Sequence, residues 1–247
     1  MGRAAASYPA PMDRPRAPGP PLLGPETSEA YDAGGSAPPA GNVVWQRGAV
    51  SRERRRERLG QRGGTLWLTG LPGAGKTTIA MALEERLAEA GWLAYVLDGD
   101  NLRHGLNADL GFDAAGRAEN VRRTAEVARL IADTGMICVV SLISPYADDR
   151  ARARAVHERA RLDFLEIFVD TPPAECERRD PKGLWARARR GEIARFTGVD
   201  SPYEPPTHPQ LTLRTVDLPL EDELERLLEL LTARNLVRRG GRGSQRR

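Results

Sequence analysis

The most constraining feature of this chain is an eight-residue run, Gly70-Leu-Pro-Gly-Ala-Gly-Lys-Thr77, set between a short apolar segment (Thr65-Leu-Trp-Leu-Thr69) and a helical stretch over residues 77–90. Strand, glycine-rich turn and helix, in that order, are the setting in which G-x-x-x-x-G-K-[ST] acts as a phosphate cradle. Glycines here let the backbone curl until successive N–H groups point at one anion. The helix that follows adds the positive end of its dipole. Gly70, Leu71, Pro72, Gly73, Ala74 and Gly75 are therefore the candidate phosphate-contacting positions. Lys76 is placed to reach the β- and γ-phosphates and the Thr77 hydroxyl to ligate Mg²⁺, with Thr78 beside it. A turn that merely joined a strand to a helix would not need lysine and threonine at this spacing. The motif implies a bound nucleoside triphosphate, and by itself nothing more.

Strand-like and helix-like segments alternate through the rest of the chain. Residues 92–97, 136–143, 164–169 and 211–216 read as strands, and residues 117–134, 147–161 and 220–236 as helices. In residues 117–134 the apolar positions Val121, Ala125, Ala128 and Ala132 recur at helical spacing, and Gly135 ends the pattern. This order predicts an α/β, three-layer fold of the P-loop NTPase type, with a mainly parallel five-stranded sheet and a small lid. Trp67 and Trp92 are expected in the core and His157 on a charged helix. Residues 51–59 read as a short exposed helix.

Residues 1–41 hold nine of the nineteen prolines and predict a disordered leader. The folded domain is expected over residues 42–235, with a disordered basic tail over 236–247. The net charge of +3 is mild and acids interrupt the basic runs, which argues against a specific nucleic-acid surface. No apolar stretch approaches the ~20 residues of a membrane span. The two cysteines, Cys138 and Cys176, form neither a disulfide framework nor a metal spacing, which fits a reducing cytoplasm.

Phosphoryl transfer needs cations and carboxylates facing the terminal phosphate. In a doubly wound sheet such groups sit on loops at the carboxyl ends of strands. Asp98-Gly-Asp-Asn-Leu-Arg-His104 is such a loop. One of Asp98 and Asp100 can serve the metal and the other the proton of an acceptor hydroxyl, and spacing leaves the division open, with Thr77 and Asp98 the candidate metal ligands.

Extended to Asn107, this loop resembles the signature of the adenylylsulfate kinases. Further blocks follow in that family's order: Asp109-Leu-Gly-Phe112, Arg117-Ala-Glu-Asn-Val-Arg-Arg123, Ser141-Leu-Ile-Ser-Pro-Tyr146, Phe168-Val-Asp-Thr-Pro172, Arg179-Asp-Pro-Lys-Gly-Leu184, and Gly191-Glu-Ile with Phe196-Thr-Gly-Val-Asp200. The resemblance spans residues 42–235, including Val44-Trp45. It implies ATP-dependent phosphorylation of the 3′-hydroxyl of adenylyl sulfate (APS) to give 3′-phosphoadenylyl sulfate (PAPS) and ADP, with Mg²⁺, in sulfate assimilation. It also implies a homodimer; the little chain outside the matched span argues against a fused ATP sulfurylase and leaves a separate one open as partner.

Carried over residue by residue, the resemblance assigns the acceptor to Asp100, Asn101 and Arg103, and its adenine to the rings of Phe112 and Phe196. Arg117 and Asn120 match acceptor-binding positions. Arg117 is the natural partner of the phosphosulfate group, because a guanidinium fork pairs with two oxygens at once. Ile143 and Ser144 match the segment lining the acceptor ribose. The catalytic candidates are Lys76, Asp98, Asp100 and Ser144. Some accounts of the family give this serine a phosphoryl intermediate; direct in-line transfer, with Ser144 only hydrogen-bonding the acceptor, is the reading favoured here. The arginine-rich stretch 176–198 is the expected lid, with Arg179 touching ATP and Lys182 the acceptor. Pro72, Thr77, Gly116, Ala147 and Ala194 depart from the commonest family pattern. Two rivals stand at this stage: a kinase for another small acceptor, and a non-catalytic nucleotide-binding module.

Overall fold

The computed structural model describes Gln46 and residues 48–238. The expected leader, Val44-Trp45 and most of the basic tail lie outside the described residues. Five strands, β1 (Gly64–Thr69), β2 (Ala94–Asp98), β3 (Ile137–Ser141), β4 (Asp163–Val169) and β5 (Leu211–Leu213), form one sheet in the order β2-β3-β1-β4-β5. Every pairing is parallel, so the expected five-stranded sheet is present and carries no antiparallel edge.

All six residues of β1 are buried, because β3 and β4 flank it and helices cover both faces. Such a strand reads as a continuous apolar run rather than an alternation. The period of two still sorts its side chains. Leu66 and Leu68 enter one apolar layer with Ile79, Leu83 and Leu87 of α2 (Lys76–Glu89) and Leu224, Leu227 and Leu231 of α8 (Leu220–Ala233). Trp67 enters the other, with Val121, Ala125 and Ala128 of α4 (Ala114–Asp133) and Ala153 of α5 (Ala147–Arg159). The stripe expected on α4 is thus the face against the sheet. The helix begins three residues earlier than expected, because the Asp113 carboxylate accepts the Gly116 N–H at 2.7 Å and caps it. The exposed helix expected near residue 51 is α1 (Arg52–Leu59), capped by Ser51 and burying no residue.

Two expectations need correction. Leu236 and Val237, expected in the tail, are buried in the core, and the Leu236 carbonyl accepts the Arg62 N–H at 3.1 Å. His157, expected on a charged helix, is fully buried. Its Nε2 lies 2.9 Å from the Thr65 hydroxyl, its Nδ1 lies 2.9 Å from the Ala153 carbonyl, and its ring packs 5.1 Å from Phe164. The arginines of α5 mask an inward face of Ala153, Val156 and His157.

Burial pushes the His157 imidazole down from 6.5 to about 4. The ring is neutral when folded and charges more readily when unfolded. Its contribution is therefore complete above pH 6.5 and is lost as pH falls from there through 4, by up to about 3 kcal/mol. Thermal melts should show a falling Tm across this window in the wild type and a flatter profile in His157→Gln. Parallel profiles would refute the assignment.

Candidate active site

The site gathers at the carboxyl ends of β1, β2 and β3. Between β1 and α2, Gly73 has φ of +80°, and a Cβ there would come 2.8 Å from the Cys176 carbonyl, so a side chain would be both strained and blocked. Lys76 is buried, and its ammonium donates to the carbonyls of Gly70 at 2.9 Å and Leu71 at 2.7 Å. Burial pushes its pKa down to about 8, against the opposing pull of the Asp98 and Asp100 carboxylates. Thr77 and Thr78 are exposed at the start of α2. The Thr77 hydroxyl donates to Asp98 Oδ2 at 2.8 Å and lies 3.3 Å from the Ser141 hydroxyl.

Asp98 closes β2 and caps the short helix α3 (Gly99–Leu102), where its Oδ1 accepts the N–H groups of Asp100 at 3.0 Å and Asn101 at 3.5 Å. Both of its oxygens are engaged, whereas the exposed Asp100 carboxylate pairs with Lys182. Asn101 is exposed on the same turn. The Arg103 guanidinium stacks 4.0 Å from the centre of the exposed Phe112 ring and donates to the Leu110 carbonyl at 2.8 Å.

Arg117 is buried and works as a clasp. Its guanidinium donates to the Phe112 carbonyl at 2.8 Å, the Thr197 hydroxyl at 2.9 Å and the Arg195 carbonyl at 2.5 Å. It thereby ties the backbone beside Phe112 to the backbone on either side of Phe196. Its expected pairing with phosphosulfate would have to use the N–H groups that these bonds leave over. Asn120 is buried and accepts from Asn107 Nδ2 at 2.8 Å.

Ser144 sits in the left-handed region with φ of +39°, buried, and its hydroxyl accepts the indole N–H of Trp67 at 3.1 Å. Next to it the Ile143 carbonyl accepts the Thr69 hydroxyl at 2.7 Å. The strain is held by Arg150, which donates to the Ser144 carbonyl, the Glu204 carbonyl and Glu166 Oε1, each at 2.7 Å.

The expected lid is two short helices, α6 (Pro173–Arg179) and α7 (Leu184–Arg189). Arg178, Arg187, Arg189, Arg190 and Arg195 are exposed, as expected, and pair with acids nearby. Cys176, where the expected lid begins, is a buried core residue. Arg179 turns inward: it donates to the Thr215 hydroxyl at 2.8 Å, and its Nη1 would lie 3.8 Å from a Cβ on Gly75.

The family model for adenylylsulphate kinase matches residues 62–214. This chain belongs to the adenylylsulfate kinase family. It is 48% identical to an adenylyl-sulfate kinase of Clostridium acetobutylicum over 196 residues, covering 79% of this kinase and 96% of that relative. It is 50% identical to a bifunctional enzyme CysN/CysC of Mycobacterium tuberculosis, of whose length it spans 34%. A solved structure of the Mycobacterium tuberculosis APS kinase CysC in complex with AMPPNP and APS matches it at 56% identity with a TM-score of 0.68, covering 69% of this kinase and 98% of that chain.

The fold of the kinase brings most of the expected residues to one end of the sheet. Lys76, Thr77 and Asp98 are joined by direct contacts or charge coupling, and Lys182 reaches Asp100 across 82 residues of sequence. Phe112 and Phe196 differ: the first is exposed and covered by Arg103, the second is buried. Three residues that were not singled out as candidates also stand at the site: Ser141, inside a quoted block, and Trp185 and Tyr203, outside every block. Ser141 stands beside Thr77, Tyr203 lies 3.1 Å from the Thr69 hydroxyl, and Trp185 donates its indole N–H to the Pro72 carbonyl at 3.0 Å. Ser141 closes a strand opposite Asp98 in register, which is the signal that could have found it. Trp185 and Tyr203 are reached only through tertiary contacts.

Proposed function

We infer that this kinase transfers the γ-phosphoryl group of ATP to the 3′-hydroxyl of adenylyl sulfate, giving PAPS and ADP. The observation that carries the reading is the 2.8 Å contact between Thr77 and Asp98, which joins the phosphate loop to the acceptor loop of the family signature. Incubating the full chain with ATP, magnesium and adenylyl sulfate should yield a 3′-phosphorylated product in step with ADP. ADP release that does not depend on adenylyl sulfate would overturn the assignment.

The loop amides and the Lys76 ammonium aim the terminal phosphate and neutralise charge as it develops. Thr77, Asp98 and Ser141 bring together hard oxygen donors of the kind magnesium takes alongside phosphate oxygens and water. Mg²⁺ held there would offset the negative charge on the phosphates. With both oxygens of Asp98 engaged, Asp100 is the carboxylate placed to take the proton of the 3′-hydroxyl, Lys182 holding it through Oδ2 and leaving Oδ1 for the proton. Arg179 is placed for the nucleotide, and Asn101, Arg103, Arg117 and Asn120 for the acceptor.

Lys182 and Asp100 are 61% and 66% exposed, so their ion pair contributes at most about 1 kcal/mol to stability. Lys182→Ala should leave Tm nearly unchanged while lowering kcat/KM for adenylyl sulfate by about tenfold. A loss confined to Tm would remove the residue from the site.

Ser144 positions and does not carry the phosphoryl group, because its hydroxyl is turned to Trp67 in a buried pocket. Ser144→Ala should retain turnover within about tenfold and lose about 1–3 kcal/mol of stability, the penalty of an unpaired buried indole N–H. Rapid quench of the wild type should trap no phosphoserine at a competent rate.

Among the described residues no helix is long and apolar enough to cross a membrane. The buried, unpaired Cys138 and Cys176 support a cytoplasmic setting. The acceptor must come from an enzyme that adenylylates sulfate, and a separate ATP sulfurylase fits that role. Sedimentation of the purified chain tests the homodimer.

A further inference from the structure

Trp185 is 1% exposed on α7, a short helix otherwise bearing exposed arginines. One end of its indole donates to the Pro72 carbonyl of the phosphate loop at 3.0 Å. Its far edge faces Gly198, where a Cβ would come 2.8 Å from Cη2, and its ring meets Phe196 edge-on at 5.3 Å and 75°. One rigid side chain therefore spans from the nucleotide loop to a wall of the acceptor pocket.

Both ends of this link are stiff. The Asp180 carboxylate accepts the N–H groups of Trp185 at 3.1 Å and Ala186 at 3.0 Å, which anchors the start of α7. The Asp200 carboxylate accepts those of Arg195 at 2.7 Å and Phe196 at 2.5 Å, and Arg117 grips the same turn at Arg195 and Thr197. A close-packed ring cannot follow a shift of the Pro72 carbonyl without pressing on Gly198 and Phe196. We propose that Trp185 is a positioning residue that couples the two substrate sites, so that nucleotide on the phosphate loop changes the affinity for adenylyl sulfate through Phe196. The proposal rests on the reading of Phe196 as a wall of the adenylyl sulfate pocket. By reciprocity, adenylyl sulfate must change the affinity for nucleotide by the same factor.

The test is titration calorimetry on the full chain, with adenylyl sulfate added to free protein and to protein saturated with ADP. In the wild type the two dissociation constants should differ by at least about fivefold. In Trp185→Phe, which keeps a buried ring but loses the N–H to Pro72, the ratio should fall to within about twofold of unity, while ADP alone binds within about threefold of wild type. A merely structural role would weaken both binary affinities and leave the ratio alone, so an unchanged ratio in the variant overturns the proposal. A wild type that binds adenylyl sulfate with no effect of ADP also overturns it and leaves the pocket reading standing. A wild type that binds no adenylyl sulfate sinks the pocket reading itself.

Should Trp185→Phe fail to fold, indole-¹⁵N NMR on the unmodified protein serves instead. The Trp185 signal, one of four tryptophans, is assigned by its proximity to Phe196 protons. It should move on adding ADP alone and on adding adenylyl sulfate alone. A signal that answers to one of them only would overturn the coupling.

Discussion

Lys76→Met will reduce turnover by about a thousandfold and will nonetheless raise the melting temperature. The loss of activity follows from removing a full positive charge from the phosphate loop, where it neutralises the transferring group. The gain in stability follows from the same burial. The fold holds this ammonium in surroundings that push its pKa from 10.5 down to about 8, equivalent to about 3 kcal/mol of destabilisation at neutral pH. Methionine removes that penalty but takes the donor from two carbonyls; Leu71 keeps the Ala74 N–H at 3.1 Å, so the cost falls mainly on Gly70 and is about 1–2 kcal/mol. The net is about 1–2 kcal/mol, or roughly 2–8 °C in a domain of this size.

The pH dependence separates this account from a generic packing effect. The folded pKa lies below the unfolded one, so the penalty is full below pH 8 and fades as pH rises to 10.5. Wild-type stability should climb across that window, and the variant should show no such climb. ADP-release assays and melts at pH 7 and pH 10 check both halves. A variant that melts lower at both pH values would show that the two carbonyl bonds outweigh the buried charge.

Arg150→Met is expected to lower stability by about 3–5 kcal/mol and to raise KM for adenylyl sulfate with a smaller change in kcat. Arg150 and Glu166 are 3% and 12% exposed, so removing the arginine strands a carboxylate in the interior. Arg154, which also reaches Glu166 Oε2 at 3.2 Å, compensates only in part. The guanidinium also holds the carbonyls of Ser144 and Glu204, and with them a left-handed serine at the proposed acceptor site. Lysine cannot make three bonds in one plane, so Arg150→Lys should rescue little of either effect. Denaturant titration and steady-state kinetics read the two effects separately. A variant with wild-type KM would mean that the Ser144 turn holds its shape without the clamp.

The phosphate loop and the acceptor signature were legible because each is a contiguous run whose chemistry is local. The strand β1 was legible as a short, continuously apolar run before a glycine-rich turn, and the buried stripe of α4 as a helical period. What stayed hidden depends on where the chain returns in space. The Trp185 bond to Pro72 spans 113 residues, the Arg117 bond to Arg195 spans 78, and both end on a carbonyl, a group every residue carries. His157 was obscured for a different reason: α5 carries arginines on both its buried side, at Arg150, and its exposed side, at Arg152, so charge does not mark the outer face. The end of the domain was misjudged by two residues because Leu236 and Val237, buried at the foot of β1, are followed at once by arginines.

That last contact has a practical meaning. The bond from Arg62 to the Leu236 carbonyl puts the described end of the chain at the amino side of the sheet, whereas Lys76 and Asp98 stand at the opposite rim. A tether, affinity handle or fused enzyme attached after Val237 therefore starts from the floor of the molecule, away from the proposed site at the carboxyl ends of the strands.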